Sequence, residues 1–182
     1  MDTSEFSRTE QRLIALWEEH TRLEFETRDA VATVATMSDD NYVNHVPVMT
    51  GGRGKKEMLD FYGNHFIPKM PADTETRLVC RTVGQERVID ELVMSFTHDI
   101  EMDWMTPGIP PTGRKVEVPL VVVVQTRSEK IVCERIYWDQ ASVLLQLGVL
   151  EAGDLPIAGV ESARKAVNVK MPSNELIRRA SR

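Results

Sequence analysis

The stretch Leu92-Val93-Met94-Ser95-Phe96-Thr97-His98-Asp99-Ile100-Glu101-Met102-Asp103-Trp104 decides how this chain reads. Leu92, Met94, Phe96, His98, Ile100, Met102 and Trp104 share one parity; Val93, Ser95, Thr97, Asp99, Glu101 and Asp103 share the other. Successive side chains of a strand point to opposite faces, so this alternation predicts a long antiparallel strand over 92–104, half on a core and half toward water. His98 is the one polar residue on the apolar face.

Strands flank it on both sides. Residues 78–83 form one, with 84–87 as its turn, and residues 116–125 form another, beyond the loop Pro107-Gly108-Ile109-Pro110-Pro111-Thr112-Gly113. The turn Arg127-Ser128-Glu129-Lys130 leads to a last strand, 131–138. Toward the N-terminus the period changes to that of helices. Ser7 and Glu10 have capping-box spacing ahead of Leu13, Ile14, Trp17 and Phe25. Asp29 opens a second helix with Val31, Val34 and Met37 on one face, and Ser38-Asp39-Asp40-Asn41 stops it. An extended piece, 42–47, precedes a third helix over 55–65, which Pro68 closes. Asp139 caps a helix over 140–147 that ends at Gly148; the tail has little periodicity until 174–179. Helices first and hairpins afterwards indicate an α+β fold, a curved antiparallel sheet covered by N-terminal helices, with an apolar cavity between. We divide the chain into a domain of residues 1–150 and an extension, 151–182, that packs on it or on a dimer partner.

Bulk properties narrow the function. A chain of 182 residues is one domain's worth, and a net charge of −6 repels nucleic acid and anionic membranes. The short cluster Arg53, Lys55, Lys56 flanks a helix and makes no basic patch. The polar start carries no secretory signal and no apolar run is long enough to span a bilayer, so a cytoplasmic location is expected. Cys80 and Cys133 have neither metal nor redox spacing and are expected to be buried free thiols. There is no phosphate loop, no dinucleotide fingerprint, no HExxH and no nucleophile elbow.

What remains are polar residues on apolar elements. His98 is either a satisfied core histidine or an acid/base group facing the cavity, since imidazole titrates near neutral pH. His45 and Tyr42 lie where the chain enters the sheet, and either anchor the loop or assist at the site. On the last strand, Val132, Glu134, Ile136 and Trp138 share one face and Cys133, Arg135, Tyr137 and Asp139 the other. If the first set faces the cavity, Glu134 is a carboxylate in apolar surroundings, fit to serve as acid or base; otherwise it is half of a salt bridge at the strand end. Asp139 reads as an N-cap.

The segments Gly108-Ile109-Pro110-Pro111-Thr112-Gly113-Arg114, Tyr137-Trp138-Asp139-Gln140 with Leu145-Gln146-Leu147-Gly148, and Asp40-Asn41-Tyr42-Val43-Asn44-His45 resemble the SnoaL-like polyketide cyclases of the ketosteroid-isomerase-like (nuclear transport factor 2-like) superfamily, over about residues 10–150. The tail resembles a subgroup labelled dienelactone hydrolases, although the chain lacks a nucleophile motif. The family resemblance implies an α+β cone open to a polycyclic or terpenoid-sized ligand. It also implies acid/base catalysis at a carbonyl, enol or epoxide without metal or organic cofactor, and dimerisation through the outer sheet face. It places an acid/base aspartate three residues before the one opening the final helix, where this chain has Ile136, and polar partners near Leu120 and Val122; Thr97-His98 does match.

The expected function is therefore a cofactor-independent enzyme, a cyclase, isomerase, dehydratase or hydrolase, acting on a small apolar polyketide-, terpenoid- or lactone-like substrate. His98, His45, Glu134 and Tyr42 are the catalytic candidates, and Phe96, Trp104, Ile136, Trp138 and Tyr62 the substrate-binding ones. The alternative is a non-catalytic binding module, which Ile136 favours. A homodimer is expected, because Val121 and Val123 would lie on the sheet face that the helices leave uncovered.

Overall fold

The computed structural model describes residues 6–181. Six strands form one curved, unclosed sheet in the order β2-β1-β6-β5-β4-β3. They are β1 (Met37–His45), β2 (Thr50–Arg53), β3 (Glu75–Val83), β4 (Arg87–Thr97), β5 (Lys115–Arg127) and β6 (Lys130–Trp138). Strands β3 to β6 are an antiparallel meander. Strand β1 enters from the helices and joins β6 in parallel, pairing Val43 with Glu134 and His45 with Ile136. Beside it, a Cβ on Gly51 would lie 2.1 Å from the Val43 carbonyl oxygen, so only glycine lets β2 close on β1 here.

Helix α1 (Arg8–Arg22) opens with the expected capping box: the Ser7 hydroxyl accepts from the Glu10 N–H while the Glu10 carboxylate accepts from the Ser7 N–H. A π-helical turn, Leu23–Thr27, extends it. Asp29 caps α2 (Ala30–Ala35), accepting from the Ala32 N–H at 2.9 Å. After β2 come α3 (Gly54–Asp60), a π turn (Phe61–Phe66) and one 3₁₀ turn (Ile67–Lys69) that contains Pro68. These pieces lay Leu13, Trp17, Val34, Met58, Phe61, Tyr62 and Phe66 against Met94, Phe96, Val118, Leu120, Val122 and Ile136 of the sheet to make one core. Burying each large apolar side chain contributes about 1.5–3 kcal/mol. Asp139 caps α4 (Gln140–Gln146) through the Ser142 N–H.

Several expectations need correction. Strand β4 stops at Thr97, not at residue 104. The His98 N–H still donates to the Arg114 carbonyl, but the His98 carbonyl accepts from both Thr112 and Gly113 and closes a loop there. Alternation past this point therefore records burial in a loop, with Met102 and Trp104 both packed inside. The third helix is regular only to Asp60, beyond which the backbone widens into the π turn. Met37 belongs to β1 and Val31 is 71 % exposed, so neither shares a buried helix face with Val34. Cys80 is exposed; Cys133 is buried, and both are free thiols. The tail holds an unforeseen helix, α5 (Val160–Val167), besides α6 (Glu175–Ala180). Helix α5 lies on the outer sheet face, with Ala163 fully buried and Arg164 3.1 Å from Glu117 of β5.

Candidate functional site

Leu13, Trp17, His20 and Glu24 recur at helical spacing, so α1 and its π turn turn all four toward the sheet. Across from them, the inward parity of β6 brings in Glu134, Ile136 and Trp138, and that of β1 brings in Val43 and His45. The α3-side π turn supplies Tyr62 and Phe66. Between these elements lies a cavity of about 200 Å³, walled by Trp17, Phe25, Phe66, Met94, Trp104, Leu120 and Ile136 among others. Its polar lining comprises Glu24, His45, Tyr62, Arg81, Asp90 and Glu134, with the hydroxyl residues Thr21 and Thr76.

At one wall, four buried polar side chains meet. His20 Nε2 lies 3.1 Å from a Glu24 carboxylate oxygen, 3.2 Å from Glu134 Oε1 and 3.3 Å from the Tyr62 hydroxyl. Its Nδ1 is 2.6 Å from the Thr36 hydroxyl, whose own proton goes to the Thr33 carbonyl. Nδ1 must therefore donate to Thr36, and Nε2 faces two acidic side chains, at least one of which, when ionised, can only accept. Both nitrogens carry protons, and His20 is an imidazolium. Burial alone would push this imidazole down, but Glu134 and Glu24 outweigh it and hold the pKa up at about 10. Desolvation raises the Glu24 carboxyl above its ordinary range, although His20 pulls the other way. Burial, with Glu134 and Glu24 adding to it, keeps the Tyr62 phenol protonated well above its usual value. Glu134 Oε1 is ion-paired with His20 Nε2 at 3.2 Å, in a geometry short of a well-aligned hydrogen bond.

His20, Glu24 and Glu134 are also the types of residue that bind divalent metals, and their ligand atoms lie within 4.8 Å of one another. Here the imidazolium takes the place a cation would fill, with its Nε2 lone pair committed to a proton.

His45 is packed in a cage of rings, 5.3–5.8 Å from Phe61, Phe66, Trp104 and Trp138. Burial, only partly offset by the Thr50 backbone, lowers its pKa to about 4 and leaves it neutral at pH 7. On the opposite wall, Arg81 grips both oxygens of Asp90 at 2.7 and 2.8 Å and reaches Glu18 at 2.8 Å, while Asp90 also accepts from the Trp17 indole at 2.8 Å.

The residues expected from the sequence divide. The structure brings His45, Glu134, Tyr62, Trp104 and Ile136 to the cavity. Trp138 is buried behind His45, and Phe96 is buried in the core, so neither lines it. Tyr42 points outward, 37 % exposed. His98 is fully buried away from the cavity, its ring nitrogens engaged by Thr112 at 3.2 Å and Thr106 at 3.3 Å, where it ties the proline-rich loop to the end of β4. The sequence reading passed over His20 and Glu24; two polar residues four apart on the apolar stripe of an otherwise amphipathic helix were the available signal.

The family described as SnoaL-like polyketide cyclase matches residues 11–147. A protein designated a SnoaL-like polyketide cyclase from Jannaschia sp. CCS1 is similar in structure, with a TM-score of 0.63 and 18 % identity over 80 % of this chain and 98 % of its own. AclR from Streptomyces galilaeus, designated a hydroxylase, superposes with a TM-score of 0.59 and 19 % identity, covering 78 % of this chain and 98 % of AclR. SalBIII, described as an epoxide hydrolase/cyclase-like enzyme in pyran ring formation in the polyether salinomycin, gives a TM-score of 0.53 and 16 % identity over 72 % and 93 %. No curated protein sequence matches the chain.

Proposed function

Because the chain belongs to the SnoaL-like polyketide cyclase family, we propose that it is a cofactor-independent enzyme that works by acid/base catalysis on a small apolar substrate held in the cavity. The observation that carries this reading is Glu134, a carboxylate in the cavity wall whose charge is balanced by a buried imidazolium 3.2 Å away. The family's aspartate position is Ile136 here, but Glu134 is two residues earlier on the same inward face. The carboxylate is thus displaced along the strand by roughly 6–7 Å rather than lost.

The roles follow from the environments. Glu134 is the base. Glu24, pushed toward its protonated form by desolvation, is the group fitted to return a proton. Tyr62 remains a hydrogen-bond donor for oxygen charge that develops on a carbonyl or an opening epoxide. His20 positions both carboxylates. The SalBIII likeness agrees with ring-forming or ring-opening chemistry, and dimerisation through the outer sheet face completes the reading.

The test is turnover on a panel of one- and two-ring epoxides, lactones and enolisable ketones. Glu134→Gln should slow turnover by about 10²–10⁴-fold, with folding checked by circular dichroism. A variant that keeps the wild-type rate would refute the role. A second reading, a binding module, is favoured by Ile136 and predicts tight ligand retention with no product from the wild type.

A further inference from the structure

Inward residues of five strands line the cavity, and their exposure rises toward one edge of the sheet. Val43 and His45 on β1, Glu134 and Ile136 on β6, and Leu120 and Val122 on β5 are all buried. On β4, Met94 is buried and Leu92 half-buried. On the edge strand β3, Thr76 is exposed and Leu78 is 39 % exposed, although both still line the cavity. Across from β3, Trp17 and Glu24 are buried, while Thr21 and Phe25 are half-buried. Water therefore reaches the cavity wall along one strip, between β3 and the C-terminal part of α1 with its π turn.

The two sides of this strip are tied together at one end. Arg81 of β3 donates to Glu18 at 2.8 Å, and the Trp17 indole donates to Asp90 of β4 at 2.8 Å. At the other end Phe25 meets Phe66 edge-on, with ring centroids 6.3 Å apart. Between the two, the Thr21 hydroxyl turns back to the Trp17 and Glu18 carbonyls, and no hydrogen bond or ion pair among the described residues joins Thr21 or Phe25 to Thr76 or Leu78. From Glu18 to Phe25 the helical rise covers roughly 10 Å. The opening is a slit of that length, with a helix as one lip and a strand as the other. Phe25, Leu78 and Leu92, the partner of Leu78 on β4, give its lips carbon surface. The charged group at the rim, Arg81, is already engaged by Asp90 and Glu18.

We propose that ligands enter the cavity through the slit between α1 and β3, that Leu78 on the strand lip sets the breadth of what passes, and that the molecule admitted is uncharged. The inference rests on the cavity being the ligand site of the proposed function; it adds the way in, the residue that selects there and the charge state of the substrate. From Leu78 on β3 to Glu134 on β6 the path crosses three strand spacings, roughly 14 Å. A compact molecule thus passes Leu78 completely, and residue 78 governs its entry rather than its final contacts. On the way it slides over carbon and leaves water behind. An ionised group would lose its hydration at the lips with no free cation to receive it, and burying an unpaired charge is costly. A larger side chain at 78 narrows the slit, and a smaller one widens it.

The experiment places a thiol inside the cavity of the full chain. Val122→Cys exchanges small apolar side chains on β5, Leu120→Cys is the second reporter if the first does not fold, and peptide mass spectrometry reads each alkylated site separately. Cys80 is the reference: it is exposed, and it pairs with Glu91 where Leu78 pairs with Leu92, so it points to the opposite sheet face. The probes are iodoacetamide and iodoacetate, alike in size and different in charge. Added to the reporter, Leu78→Trp should slow iodoacetamide at the interior thiol about tenfold or more and Leu78→Ala should speed it about threefold or more, with Cys80 unchanged. The ratio of iodoacetamide to iodoacetate rates should be about tenfold higher at the interior thiol than at Cys80. An interior thiol that ignores residue 78 overturns the route, as does one that reacts with neither probe. A rate that merely matches that of the buried Cys133 marks access by unfolding and overturns it too. Equal ratios at the interior thiol and at Cys80 overturn the charge rule. Alkylation reports passage, not turnover. A protein whose interior follows residue 78 but transforms no substrate sinks the catalytic reading and keeps this one; an active protein whose interior ignores residue 78 does the reverse.

Discussion

The protonation of His45 gives the sharpest quantitative test of the site. The ring is fully enclosed by Phe61, Phe66, Trp104 and Trp138, and burial lowers its pKa to about 4, against about 6.5 in the unfolded chain. Below pH 6.5 the unfolded state therefore binds a proton that the folded state refuses until the pH nears 4. Stability contributed by this group is intact above pH 6.5 and falls as the pH drops from 6.5 toward 4. The full difference of ~2.5 pH units corresponds to roughly 3 kcal/mol, and at pH 4.5 about 2.5 kcal/mol of it is already lost. That is a large share of the 5–15 kcal/mol typical of a domain. The assay is urea unfolding, followed by tryptophan fluorescence, at pH 7.0 and pH 4.5, on the wild type and on His45→Phe. The phenyl ring fits the cage and removes the titration. Other carboxylates titrate in both proteins and cancel in the comparison. The wild type should lose about 2.5 kcal/mol more than the variant between the two pH values. Equal losses would mean that His45 titrates as an ordinary exposed imidazole, and the picture of a ring caged away from water would fall with it.

Four further outcomes are expected. His20, held at about 10, contributes stability that is complete below pH 6.5 and is lost as the pH rises through 10, so alkaline urea titrations should show a loss above neutral pH that is missing in His20→Gln. With both His20 nitrogens protonated, ten equivalents of Zn²⁺ should leave the melting temperature unchanged; a rise of several degrees would place a metal at Glu24 and Glu134 instead. His98→Ala should cost about 1–3 kcal/mol through the freed Thr106 and Thr112 hydroxyls and leave ligand affinity intact, and a selective loss of affinity would return His98 to the site. Val121, 38 % exposed on the outer face beside Tyr137 on β6, should lie in a homodimer interface, so Val121→Asp should shift sedimentation toward monomer; an unaffected or already monomeric protein would count against it.

Much of the architecture was legible because it rests on local rules. The capping box at Ser7, the N-caps at Asp29 and Asp139, and the alternation along β4, β5 and β6 each need only neighbouring residues. The same alternation placed Glu134 and Ile136 together, although which face looked inward needed the sheet. His98 misled because period-2 burial continues through a loop once the strand has ended, and a loop can bury a residue without aiming it at a cavity. His20 and Glu24 went unseen because an ionic pair on a buried helix face is stable only with its third member, Glu134, which is more than a hundred residues away in sequence. Helix α5 was missed for a related reason: eight residues are too short to show a period unless the surface they cover is known.

Helix α1 and its π turn carry two sets of contacts at once. Trp17 and Glu18 hold the Arg81–Asp90 pair on β3 and β4, and two to seven residues further on His20 and Glu24 complete the cluster with Glu134 on β6. One stiff rod thus bridges both flanks of the cavity. A displacement that lifts it from the sheet takes the indole off Asp90 and, in the same movement, takes the imidazolium away from Glu134. The charge balance inside the cavity therefore depends on the seating of this one helix: the carboxylate on β6 keeps its counter-ion only while α1 lies against the sheet.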